Sequence, residues 1–298
     1  MRALLLTLSL CYSATVLGAS IWHVQGEQEW YLFGTIHVLR PDAYPLPASY
    51  QTVLDRCTNL WLEVDLDALT EPEILLQVRS IMQLPTGATL KTQISAKAYR
   101  RLTLLADRAG KSLADFTGLK PWAVANVLAL MLFEQRGFVS EQGLDLHLAQ
   151  QAKTREIPTL ALETVIQQMT LLDELAAAYP DDFITFSTND LDRVDQLVAE
   201  MVHNWQQGDV EALYRLADFK AYPAIEDAML NQRNNDWMRQ FEQASDQTSP
   251  QCVAVGALHM AGESGLLAQF KRAGYRVRQV TAKMHEPAQG GPQPEPIK

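Results

Sequence analysis

The chain has 298 residues, 47% of them hydrophobic and 20% charged, a globular composition with room for one large core or two modest ones. A net charge of −10 and a pI near 5.1 exclude an electrostatic binder of nucleic acid. Beyond residue 20 no run approaches the roughly 18 consecutive apolar residues that a membrane-spanning helix needs.

Residues 1–19 read as a signal peptide. Arg2 supplies a positive start, Ala3–Leu10 is apolar apart from Thr7 and Ser9, and Val16-Leu17-Gly18 or Leu17-Gly18-Ala19 offers a small-residue cleavage site. The bulky Leu10 before Cys11 removes a lipoprotein reading. Export places the mature chain in the periplasm or outside the cell. It leaves Cys57 and Cys252, each just before a strand-like run, as the expected disulfide pair.

Ile21–Val24 and Trp30–Ile36 are predicted to form a β-hairpin around Gln25-Gly26-Glu27-Gln28. A Pro-punctuated loop, a helix over Ala48–Cys57 and a strand over Asn59–Asp65 follow. Thr70 is the expected N-cap of the next helix, with Pro72 in its first turn. Thr89–Ile94 is expected to be extended, Ser95–Ala109 an amphipathic helix, Lys120–Gln135 a core helix and Ser140–Lys153 a further helix. Ile157–Leu162 returns to strand and ends at Glu163, after which Thr164 can cap Val165–Tyr179. Helical periods continue across Asp181–Gln207, Asp209–Asp218 and Tyr222–Asp246. Cys252–Ala257 is the next strand, Gly262–Ala273 a helix, and Tyr275–Val280, with its alternating Arg residues, an edge strand. The pattern is α/β: a central mostly parallel or mixed sheet with a large helical portion, in one domain over residues 20–284. Its helical middle covers about 66–156 and 164–248, and residues 285–298 are a disordered tail.

One arrangement occurs twice. Trp30–Leu39 and Cys252–Leu267 each carry an apolar run that stops at Gly and delivers a His three residues on, Gly34 to His37 and Gly256 to His259. With Glu63 and Glu163, four strand-like runs end in metal-ligating or acid–base groups, at the carboxyl edge where open sheets bind ligands. Two imidazoles with one or two carboxylates suit Zn, Mn, Fe or Co and can activate a water: His37 and His259 hold the metal with carboxylate help, and Glu63 or Glu163 is the base, the spacing leaving open which carboxylate is ligand. Asp65, two residues beyond Glu63, shares its strand face and is a candidate supporting partner, as is Asp145. Arg233 is a candidate clamp for a carboxylate or oxyanion. Each residue alone has a plainer reading: a packing His, a solvated acid, a helix-dipole partner for Glu163. Their shared edge favours function. His147, His203 and His285 lack matching context.

LFGTIHVL, LWLEVD, GLDLHL with IPTLALET, Arg233-Asn234 and VAVGALHMAGESGLLAQFKRAGYRV make the chain resemble the TraB/PrgY/GumN family from about residue 21 to 281. That family is related to the TIKI metalloproteases and more distantly to erythromycin-esterase and ChaN-like proteins. The resemblance implies an α/β core, a divalent metal, and His37, His259 and Glu63 as the site, with Glu163 and Arg233 as weaker additions. The expected function is an exported metal-dependent hydrolase, peptidase or amidase, acting on a peptide or small molecule. The rivals are a binding protein for haem, metal or a peptide signal, and an accessory factor in envelope polysaccharide export.

Overall fold

The computed structural model describes residues 20–244 and 250–281. Six strands, β1 (Ile21–Gln25), β2 (Glu29–Thr35), β3 (Leu60–Val64), β4 (Thr159–Glu163), β5 (Gln251–Gly256) and β6 (Arg276–Gln279), form one sheet in the order β4-β3-β5-β2-β1-β6. The pairs β3/β4, β3/β5 and β2/β5 are parallel, whereas β1 runs antiparallel to both β2 and β6. The sheet is therefore mixed, with four parallel strands sharing one carboxyl edge. Strands β2 and β5 are buried almost throughout, as apolar runs covered on both faces must be. The hairpin of β1 and β2 and the Arg-bearing edge strand β6 stand where periodicity puts them.

Cys57 and Cys252 form a disulfide with Cα atoms 5.6 Å apart. Cys252 pairs across the ladder with Leu60, so the bridge ties the amino-terminal ends of β3 and β5, away from the carboxyl edge. Such a bond belongs to an oxidising compartment. Among the described residues no helix is long and apolar enough to cross a membrane. The signal peptide and the tail expected at 285–298 lie outside the described residues.

The helices pack around the sheet in two apolar clusters, one containing the strands and one built on Trp122, Phe183, Phe219 and Ile225. Helix Val194–Gln207 docks on the sheet through Trp205, whose indole N–H donates to the Gly34 carbonyl at 2.9 Å. Two local expectations change. Leu90–Gln93 is a short helix rather than extended, because Thr89 and Thr92 cap each other's backbone reciprocally. Glu71, not Thr70, is the residue before helix Pro72–Met82, since Pro72 takes the first helical position and Thr70 bonds back to Asp67 instead.

Candidate active site at the strand edge

The parallel register brings the carboxyl ends of four strands together, and with them the side chains that end their apolar runs. Glu163 closes β4, Glu63 lies on β3, His259 sits in the 3-10 turn Ala257–Met260 after β5, and His37 follows β2. A helical stretch crosses this edge, running from Pro223 through a π-helical turn, Asp227–Asn231, into helix Gln232–Gln243. It delivers Arg233 and Asn234 in the first turn after the π insertion and Trp237 in the second, and such insertions often serve function.

Arg233 is the hub. Its Nε donates to Glu163 Oε1 at 2.8 Å and its Nη2 to Glu63 Oε2 at 2.7 Å. Its Nη1 donates to the Met229 carbonyl at 3.0 Å and to His259 Nε2 at 3.1 Å. The Trp237 indole lies under the guanidinium, 4.8 Å from ring centroid to Cζ, and donates its own N–H to Glu163 Oε1 at 2.9 Å. Glu63 Oε1 accepts the Gly256 N–H at 2.7 Å, and Oε2 also accepts from Gln168 Nε2 at 2.9 Å. Burial works to raise the Glu63 carboxyl. His259, the Arg233 guanidinium, His37 and the Gly256 N–H together overcome that and hold it well below the usual carboxylate range.

The two histidines are set apart by their surroundings. His259 is 4% exposed and spends both nitrogens on the protein: Nδ1 donates to Asn234 Oδ1 at 2.7 Å, and Nε2 accepts from Arg233. Burial, reinforced by Arg233, outweighs the pull of Glu63 and pushes this imidazole down to about 3, so it is neutral. The His37 side chain is 65% exposed, with Nδ1 2.9 Å from Asp145 Oδ2. Enclosure within the cleft opposes its charge, but the Asp145 carboxylate, helped by Glu63, pushes it up to about 9. Asp145 reaches His37 from the first turn of helix Leu144–Thr154. Gly143 permits that approach: a Cβ there would stand 2.6 Å from the His37 carbonyl oxygen and 2.7 Å from Asp145 Oδ1.

A cleft of about 630 Å³ opens over these groups, lined by His37, Glu63, Arg233 and His259 at one end and by apolar side chains from several helices elsewhere. Asp65 stands apart, exposed and accepting the Asp67 N–H at 3.0 Å, because β3 ends at Val64 and the two-residue alternation ends with it. Gln168 and Trp237, which the sequence alone does not mark as functional, join the site as donors to Glu63 and Glu163. The only available signal was the spacing of Arg233 and Trp237, one helical turn apart.

The donor set does not fit a divalent cation as it stands. The Arg233 guanidinium is bonded to Glu63, Glu163 and His259 at once, and the lone pair of His259 Nε2 is taken by an N–H. Among the described residues no group of three or more His, Cys, Asp or Glu side chains converges as a metal cradle.

A sequence model of the TraB/PrgY/gumN family matches residues 20–279. YbaP of Escherichia coli (strain K12), whose own function is uncharacterized, is 27% identical over 250 residues, covering 81% of this chain and 87% of that protein. The metalloprotease TIKI1 of Xenopus tropicalis is 27% identical over 186 residues, 53% of this chain but 35% of that protein. The metalloprotease TIKI2 of the same species is 27% identical over 183 residues. No solved structure matches.

Proposed function

This chain belongs to the TraB/PrgY/gumN family, and on that premise we propose that it is an exported hydrolase of amide or peptide bonds, working in the cleft at the strand edge. Arg233 carries the reading. A guanidinium has five N–H donors. One on Nε, two on Nη1 and one on Nη2 are bonded to the protein, and the second Nη2–H has no protein partner among the described residues. That leaves a fixed cation at the cleft wall with one donor to spare, the arrangement that steadies the oxyanion of acyl transfer.

The remaining roles follow from charge state. His37, protonated at neutral pH and oriented by Asp145, gives its proton to the leaving nitrogen. Glu63, the anionic carboxylate of the cleft wall, holds the attacking water and receives its proton. Glu163, His259, Asn234 and Trp237 position Arg233 and touch no reacting atom. Two relatives are named metalloproteases, which supports metal dependence. The His259 Nε2 lone pair that such an ion would need is committed to an Arg233 N–H, and the guanidinium stands between Glu63 and Glu163. Export to the periplasm or beyond is supported by the Cys57–Cys252 bridge and the leader-like residues 1–19.

The test is a panel of N-acyl amides and blocked peptide anilides, incubated with mature protein and with His37→Ala and Arg233→Met. Cleavage that falls by about two to four orders of magnitude in His37→Ala is the expected result. Equal cleavage by His37→Ala and wild type overturns the assignment.

A further inference from the structure

The apolar part of the cleft has no role in bond breaking. Leu171, Leu216 and Leu130 line it, and none of the three belongs to either packed hydrophobic cluster. Leu130 is 41% exposed. One exposed and two half-buried leucines on three separate helices, gathered around one opening, mark a ligand site rather than unfinished core. At the other end stand His37 and Arg233, the one exposed and the other with a spare N–H. Thr35 also lines the cleft, and its buried hydroxyl has no hydrogen-bond partner among the described residues.

We propose that this cleft binds an amphiphilic amide: a medium-length acyl chain lies along the leucine-lined wall and presents its carbonyl to Arg233, with His37 as the neighbouring polar contact. The position of the carbonyl rests on the hydrolase reading; the seat for the chain does not. A volume of about 630 Å³ is that of a small-ligand pocket, and polar side chains are few among those that line it. A ligand charged at both ends would leave one charge against leucine, and a uniformly apolar one would leave His37 and Arg233 unmatched.

The experiment is calorimetric titration of the mature protein with N-butanoyl- and N-octanoyl-alanine amide, alongside mass-spectrometric detection of cleavage. Burying methylenes tightens binding roughly three- to fourfold each, so the octanoyl compound is expected to bind at least tenfold more tightly. Leu171→Gln and Leu216→Gln, both outside the packed cores, are expected to remove most of that gain, so that the ratio of octanoyl to butanoyl affinity falls toward one. Equal affinity for the two compounds, or a gain untouched in both variants, overturns the proposal. Chain-length-dependent binding without cleavage upholds the proposal and overturns the hydrolase reading; cleavage without chain-length dependence does the reverse.

Discussion

Arg233→Met exposes the energetics of the site. The substitution keeps an unbranched side chain over Trp237 but removes the cation shared by Glu63 and Glu163, whose side chains are 10% and 15% exposed. Each lost charge-assisted hydrogen bond is worth about 1.5–3 kcal/mol. Partial relief comes from the donors that remain: Gly256 and Gln168 on Glu63, Trp237 on Glu163. A net loss of about 3–5 kcal/mol is therefore expected, the usual cost of breaking a buried pair from one side. The sign with pH follows from Glu63. Its carboxyl is depressed in the folded protein, so it contributes stability above the unfolded value and loses it as pH falls through the folded one. Without Arg233 that depression lessens, and the deficit of the variant is full at pH 7 and shrinks toward pH 3. Urea unfolding of both proteins at the two pH values, followed by tryptophan fluorescence, measures it. A deficit below about 1 kcal/mol at pH 7, or one of equal size at both, refutes the reasoning.

Four further outcomes are expected. His37, pushed up to about 9, acts as a proton donor whose rate falls as pH rises through that value; Asp145→Asn moves the fall toward about 6.5, seen in the pH–rate profile and in the His37 ring NMR titration. The same raised value means that the His37–Asp145 pair adds stability below the unfolded pKa and loses it as pH climbs through about 9, a small contribution because the ring is exposed. Thr35→Val replaces an unpartnered buried hydroxyl with a methyl group, so the thermal midpoint holds or rises; a drop of more than about 2 °C would contradict the structure. Opening the Cys57–Cys252 bridge, which closes a loop with a sequence separation of 195, costs up to about 5 kcal/mol by chain entropy, and reduced wild type should match Cys57→Ser/Cys252→Ser in denaturant midpoint.

Much of the edge was legible in sequence because parallel strands announce themselves. A buried apolar run that halts at a polar residue gives both the strand and its carboxyl end, and this places His37, Glu63, Glu163 and His259 at one edge, where the structure has them. The Cys57–Cys252 pair was legible for the same reason, since both cysteines precede strands. What sequence could not supply is how the helices cross the edge. The π-helical turn Asp227–Asn231 shifts the helical phase, so the periodicity of Tyr222–Asp246 does not reveal that Arg233 and Trp237 face the carboxylates and Asn234 faces His259. Nor can spacing show that an arginine, rather than an open coordination position, stands among Glu63, Glu163 and His259. Asp65 misled because alternation holds only while the strand lasts.

The central claim is water-dependent cleavage of an acyl–nitrogen bond at Arg233 and His37. Its most direct measurement is hydrolysis of N-octanoyl-alanine amide by the mature protein in oxygen-18 water, with mass spectrometry of the acid released. The account expects one heavy oxygen in the acid from wild type and none above background from His37→Ala or Arg233→Met. Unlabelled acid, or equal labelling by all three proteins, would contradict it.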